Sequence, residues 1–237
     1  MGRDKSVILP CYNEADNILL ILEAFSKALR GRKDIEVVLV DNGSTDHTSK
    51  ILKENLSKPE YSFARSVSVE INQGYGFGIL AGLNSCESEW LGWTHADMQT
   101  PPADVLRGFD QLVNHGSQAV LKGRRRGRNL FDTFFTWGMS VFSSILLRVR
   151  LSDINAQPKL FSRTFLDSFK NPPHDFALDL FLLFLARKNN TPILEMDVSF
   201  KSRMYGEAKG GGSLYGKLRI IQRTLICIKR LKASISG

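Results

Sequence analysis

An α/β fold, with a mainly parallel sheet covered by helices on both faces, is predicted by three features of this sequence. Short, continuous apolar runs at residues 6–9 (SVIL) and 35–40 (IEVVLV) read as strands buried on both faces, since a strand with one wet face would alternate. Between such runs, apolar residues recur at steps of three and four, as on helices that bury one face. A polar residue (Tyr12, Asp41, Asn72 or Asp97) closely follows each of four strand-like runs. Ligands of open α/β sheets bind at those carboxyl ends.

The first strand, residues 6–9, is stopped by Pro10. Asn13 is placed to cap the next helix, with Glu14 and Asp16 in its first turn. Ile18, Leu19, Leu22, Phe25 and Leu29 form its apolar face, and Gly31 marks its end. The second strand, residues 35–40, runs into Asp41-Asn42-Gly43-Ser44-Thr45-Asp46, a turn that caps a helix over 48–56. A third strand is expected over 66–71, then a glycine-rich turn at 72–78 and a helix over 79–84. Residues 90–93 form a fourth strand, followed by a helix over 103–114 and a strand over 119–122. Residues 129–150 are strongly apolar, with Asp132 their only charge before Arg148. Part of them belongs to the core, and their character also suits a membrane surface. A buried helix over 176–186, capped near Asp175, and a strand over 193–200 complete the sheet region.

The last element, 214–232, places Leu214, Leu218, Ile221, Leu225, Ile228 and Leu231 at helical steps, with Lys and Arg on much of the remainder. Such a basic amphipathic helix meets either an anionic membrane surface or a protein face, of this domain or another subunit.

The chain has 237 residues and a formal charge of +8, which calls for an acidic partner: nucleic acid, an anionic membrane or a phosphorylated small molecule. Nucleic acid is not expected, for no recognition helix or stacking platform is legible. Cys11, Cys86 and Cys227 fit no metal or disulfide spacing and suit a reducing compartment. Residues 1–9 lack the apolar run of a signal peptide, and no apolar stretch reaches spanning length.

The chemistry is expected in residues 90–102, WLGWTHADMQTPP, where a strand breaks into a loop and Pro101-Pro102 prevents its continuation. Asp97 and Gln99 present a carboxylate and an amide oxygen two residues apart. Hard cations such as Mg²⁺ or Mn²⁺ take such ligands while keeping positions open for phosphate. The competing reading is that Asp97 caps the following helix. The glycines at 74, 76, 78 and 82 do not match GxGxxG and read as allowing close approach of a ligand. The run KGRRRGR at 122–128 is a solvated loop or a nucleic-acid patch.

Taken together, Pro10-Cys11-Tyr12-Asn13-Glu14, residues 41–46, Asn72-x-Gly74-x-Gly76 and Ala96-Asp97-Met98-Gln99-x-Pro101-Pro102 resemble the inverting family 2 glycosyltransferases, most closely the dolichyl- or polyprenyl-phosphate sugar synthases. The resemblance covers about residues 5–210 and implies a GT-A fold with a nucleotide-sugar donor. It assigns Pro10, Tyr12, Glu14 and Asp41 to the base and ribose, adds Asn72, His95 and Ala96 to the donor site, and gives Asp97 and Gln99 the metal. Arg125 would face a phosphate. Asp153, in the acceptor-side segment 151–159, would act as general base toward an alcohol or orient a phosphate. Asp179 would face the acceptor or pair with a cation. Residues 203–209 resemble a closing Arg-x-x-Gly-x-Ser-Lys loop, with Ala208 for serine, so that Arg203 and Lys209 cover the phosphates and Gly210–Gly212 form the hinge. One departure stands at the centre: His95-Ala96-Asp97 replaces Asp-x-Asp, and ligation by His95 would favour Mn²⁺.

The resemblance implies a catalytic domain over 1–210 and a hinge with a helix over 211–237. It implies transfer of a sugar from a UDP- or GDP-sugar to a polyprenyl phosphate, with Mg²⁺ or Mn²⁺, on the cytoplasmic membrane face, in a chain that could self-associate. The alternatives are transfer to a sugar hydroxyl of a glycolipid or glycan, nucleotidyl transfer, and a non-catalytic nucleotide-sugar-binding subunit.

Overall fold

A computed structural model of the protein describes residues 3–116, 118–126, 130–199, 222, 224–229 and 231. The chain alternates β1 (Lys5–Cys11), α1 (Ala15–Leu29), β2 (Ile35–Asn42), α2 (Thr48–Leu56), β3 (Ala64–Val69), α3 (Tyr75–Asn84), β4 (Trp90–Trp93), α4 (Pro102–His115) and β5 (Val120–Arg126). It continues through α5 (Leu130–Leu147), β6 (Lys159–Ser162), α6 (Arg163–Leu166), α7 (Leu178–Lys188) and β7 (Ile193–Ser199). The strands form one sheet in the order β3-β2-β1-β4-β6-β5-β7. All pairings are parallel except those of β6, which runs antiparallel to both neighbours.

Alternate residues of the central strands supply two cores. Val7, Leu9, Val37 and Leu39 face α1, α2 and α4, burying Ile18, Leu22, Leu52 and Phe109. Ile8, Val38, Val40 and Trp93 face α3 and α7, with Ile79, Leu83 and Leu182. This two-sided burial explains why the strand sequences are continuous apolar runs. The buried Cys227, Ile228 and Leu231 join the second core, so the described part of the C-terminal helix turns apolar residues to the domain, while Gln222 and Lys229 are exposed. All three cysteines are free and buried.

Several sequence expectations need correction. β5 runs on through Arg126, so Arg124–Arg126 lie on a strand rather than in a loop. Cross-strand pairing with β7 explains this: Arg124 and Arg126 both pair with Asp197 (2.6 and 3.1 Å) and Lys122 with Glu195 (3.1 Å). Residues 130–147 are a single helix. The reversed strand β6 was not foreseen, and the first helix ends at Leu29, two residues before Gly31, with Arg30 in the left-handed conformation.

Candidate active site

β1 and β2 run in register, so Cys11 lies opposite Asp41 at the carboxyl edge of the sheet. Asn13 does not cap α1; Glu14 holds that position without a side-chain hydrogen bond. Asn13 instead takes a left-handed φ of 54° and ties the two edge loops together. Its backbone N–H donates to Ser44 Oγ (3.1 Å), its Nδ2 to Thr45 Oγ1 (3.2 Å), and its Oδ1 accepts from the Thr45 N–H (2.8 Å). Asp46 serves the start of both helices, accepting from the backbone of Thr48 (2.9 Å) and Ala15 (3.3 Å). Asp41, almost fully buried, takes the Ser44 N–H (3.0 Å) and the Ser49 hydroxyl. Pro10, Tyr12 and Glu14 remain half-buried along this edge, and Glu14 accepts from Asn17 Nδ2 (2.7 Å). Asn72 shapes the neighbouring turn by accepting the Gly74 N–H (2.9 Å). The two loops meet at Gly43, whose φ is 69° and whose added Cβ would stand 2.4 Å from Asn72 N, so only glycine fits.

The loop after β4 starts against the same edge, the Thr94 N–H donating to Ile8 O (3.0 Å). Ala96 and Asp97 are buried, and Asp97 Oδ1 accepts the Gln99 N–H (3.1 Å) across Met98. Met98 has φ 59°, a backbone state that costs a non-glycine residue roughly 1–2 kcal/mol. Asn13 and Asp153 share such a φ, as do Arg30, Arg148, Asn171 and Asn190 elsewhere in the chain.

His95 is half-buried, its ring centroid 5.9 Å from that of Tyr75, which stacks on Phe176 at 4.7 Å. Burial lowers the His95 imidazole below its ordinary pKa despite the nearby Asp97 and Asp179 carboxylates, which keeps it neutral at pH 7. Burial, reinforced by Asp179 and Asp97, holds the Tyr75 phenol well above its ordinary value.

The donors of this loop are a carboxylate, an amide oxygen and a neutral imidazole. No cluster of three or more His, Cys, Asp or Glu side chains exists among the described residues. That set fits Mg²⁺ or Mn²⁺, which bind through one or two protein oxygens and complete their shells with substrate phosphates and water.

Arg125, on β5, and Asp153 clasp each other. The Arg125 N–H donates to Asp153 Oδ2 (3.0 Å), its Nε to Oδ1 (3.0 Å), and Nη2 also to Oδ1. Burial raises the Asp153 pKa, but the hydrogen bonds and charge of Arg125 outweigh this and hold the carboxyl below its usual range. Such a group is a poor general base, since the useful pKa lies near the working pH. Asp179 pairs with a cation. It is 1% exposed, 3.4 Å from Lys159 Nζ, and accepts from Gln157 Nε2 (2.9 Å) and Trp93 Nε1 (3.3 Å).

Tyr75, Gln157 and Lys159 join this constellation without having been expected there. A lysine inside the apolar run PKLF was the one sequence signal. Arg128, Arg203, Lys209 and the 210–212 hinge lie outside the described residues.

Residues 6–183 match the model of glycosyl transferase family 2. The chain belongs to that family. Among its relatives, the undecaprenyl-phosphate 4-deoxy-4-formamido-L-arabinose transferase of Edwardsiella ictaluri is 28% identical over 231 residues, covering 91% of this chain and 64% of that protein. The enzyme of the same name from Pseudomonas fluorescens is 28% identical over 225 residues, 91% of this chain and 61% of that one. The chain thus spans less than two thirds of these family members.

Among solved structures, glucosyl-3-phosphoglycerate synthase from Mycobacterium tuberculosis, in complex with Mn²⁺, UDP-glucose and phosphoglyceric acid, superposes with a TM-score of 0.73. It is 20% identical and covers 96% of this chain and 80% of that chain. The shared GT-A fold includes the mainly parallel sheet and its flanking helices.

Proposed function

We propose that the chain is the catalytic unit of an inverting glycosyltransferase that moves a sugar from a UDP- or GDP-sugar to a polyprenyl phosphate. One observation carries the choice of acceptor: Asp153 and Asp179, the two carboxylates that the sequence offered as bases, are both engaged by cations. An alcohol acceptor would want a base near neutrality, whereas a phosphate oxygen is already anionic and needs none. The names of the family members above support the same acceptor class.

In this reading Pro10, Tyr12, Glu14, Asp41 and Asn72 receive the nucleoside, with His95 and Ala96 against ribose and phosphate. Asp97 and Gln99 hold the divalent ion, which when bound lowers the cost of charge on the departing diphosphate. Arg125, prealigned by Asp153, meets the phosphate of donor or acceptor as a fork, and Arg203 and Lys209 close over the same oxygens. Asp153 orients rather than deprotonates.

Two apolar features support a lipid acceptor at a membrane. Val141, Phe142 and Ile145 lie exposed on α5 beside the exposed Arg148 and Arg150. A cleft of about 840 Å³, lined partly by Pro172, Phe181, Ile226 and Leu231, opens behind the loop that carries Phe176. No helix of the described residues is long and apolar enough to cross a membrane. From the lipid acceptor class of the relatives and the exposed apolar residues of α5, we propose peripheral attachment on the cytoplasmic face.

The deciding experiment incubates UDP- and GDP-sugars with Mg²⁺ or Mn²⁺, with and without undecaprenyl phosphate. Lipid-linked sugar and free nucleoside diphosphate are expected. Transfer only to a glycan hydroxyl would move the acceptor to the alternative class. Release of sugar 1-phosphate, with the nucleoside monophosphate moved to the acceptor, would make the chain a nucleotidyltransferase, and nucleotide binding without turnover would make it a binding subunit.

A further inference from the structure

Beneath the acceptor segment lies a buried ion pair that takes no direct part in the proposed chemistry. Lys159 is fully buried, and its Nζ donates to the carbonyl oxygens of Ile154 (2.8 Å) and Ala156 (2.5 Å). These carbonyls belong to the segment that follows Asp153, and at such burial they would otherwise be orphaned. The same ammonium faces Asp179 Oδ1 at 3.4 Å, and that single oxygen also receives Gln157 Nε2 and Trp93 Nε1. Trp93 ends β4, the strand that delivers the Asp97 loop. One carboxylate oxygen on α7 therefore gathers donors from both halves of the site.

Energetics argue that stability is not what the pair supplies. Removing two charges from water costs several kcal/mol per ion, and well-packed apolar pairs of like volume are often no worse. What an apolar pair lacks is reach: it holds neither the Ile154 and Ala156 carbonyls nor the Trp93 and Gln157 side chains. The chain of contact then runs outward. Lys159 fixes the turn after Asp153, and Asp153 fixes the Arg125 backbone N–H and guanidinium.

We propose that Lys159 and Asp179 are positioning residues that set the acceptor segment, and through Asp153 the Arg125 guanidinium, against the Asp97 loop. They govern acceptor use rather than donor binding. This rests on the glycosyltransferase reading above for its kinetic part, and on the structure alone for its geometric part.

The test replaces both charges at once, in the variant Lys159→Met/Asp179→Leu, beside Lys159→Arg. Thermal midpoint, calorimetric binding of UDP and GDP with Mn²⁺, kinetics with undecaprenyl phosphate, and amide hydrogen exchange are compared with the parent chain. The double variant is expected to melt within a few degrees of the parent and to bind nucleotide unchanged. Its acceptor kcat/KM should fall on the order of 100-fold, the loss typical of a misplaced reacting group. Exchange at the amides of Arg125 and of 154–156 should rise at least about tenfold, the release that a lost local hydrogen bond allows.

Parent-like acceptor kinetics in the double variant would overturn the proposal, as would nucleotide binding that weakens in step with them. Should the double variant not fold, Lys159→Arg decides. Its planar fork cannot reproduce a single nitrogen shared by two carbonyls and a carboxylate, so acceptor kcat/KM should drop while nucleotide binding holds, and parent-like kinetics would again refute the idea. If the parent transfers nothing to undecaprenyl phosphate, the acceptor reading fails by itself. The exchange measurement still decides the pairing, because unchanged protection at Arg125 and 154–156 would overturn it.

Discussion

Asp153 shows how a carboxylate's neighbours choose its role. With Arg125 on both of its oxygens, its side chain 18% exposed and that of Arg125 10%, Asp153 holds the guanidinium that we propose for phosphate. Asp153→Ala should take its carboxylate partner from a largely buried guanidinium and cost about 3 kcal/mol, the low end for breaking such a pair, measurable by urea denaturation. Asp153→Asn keeps the shape and one acceptor oxygen. If Asp153 only orients Arg125, this variant should raise acceptor KM severalfold and leave the pH–rate profile in place. Loss of kcat by the 10²–10⁴-fold typical of a missing base, with a shifted acid limb, would restore the base and with it the hydroxyl-acceptor reading. Asp97→Ala is a contrasting case: as the proposed metal anchor it should abolish metal-dependent nucleotide binding in calorimetry while the far-UV circular dichroism spectrum stays unchanged.

Between elements, glycine contacts set how closely the acceptor segment lies on the sheet. A Cβ on Gly123 of β5 would meet Gln157 O at 2.0 Å and Gln157 C at 2.7 Å, backbone atoms that cannot turn aside. Gly123→Ala should therefore push the segment off β5, costing about 3 kcal/mol as for severe overpacking, with loss of transfer. Gly138 is its control, for nothing lies within 4 Å of an added Cβ there. In the interior of α5, Gly138→Ala should stabilise by about 0.5–1 kcal/mol and leave activity intact, since glycine only weakens a helix.

These same contacts explain what was legible in the sequence. Strands β1, β2 and β4 and helices α2 and α4 were readable because their apolar patterns are local, and so were Asp41, Asn72 and Asp97 at strand ends. β6 was not, because a four-residue strand reversed between β4 and β5 is defined only by its partners. The fate of Asp179 was equally hidden, since its donors come from positions 93, 157 and 159. Asn13 was misread as a cap because its ligands, Ser44 and Thr45, arrive from another loop.

For the molecule as a whole, charge and exposed apolar surface point the same way. Acid should unfold the chain: Asp153, Asp46 and Glu195 all sit below their usual range when folded. The unfolded chain binds more protons near pH 4, so this contribution is complete above the ordinary carboxyl values and is lost as pH falls from them through the lower folded values. Urea midpoints should drop between pH 5 and pH 3, and a flat profile there would contradict the ion-pair network.

The formal charge of +8 has a second expected consequence at neutral pH, attraction to anionic lipid. On α5, Val141, Phe142 and Ile145 stand 37%, 40% and 70% exposed at helical spacing, with Arg148 and Arg150 exposed just beyond. An apolar stripe ending in arginines inserts its hydrocarbon and leaves its charges among headgroups. The protein should therefore sediment with phosphatidylglycerol vesicles and much less with phosphatidylcholine, and added salt should weaken binding by screening. Burying Ile145 in the interface is worth about 1.5–3 kcal/mol, so Ile145→Asp should reduce vesicle partitioning at least about tenfold. Partitioning that survives Ile145→Asp but vanishes in salt would assign the contact to charge alone and leave α5 free for another partner.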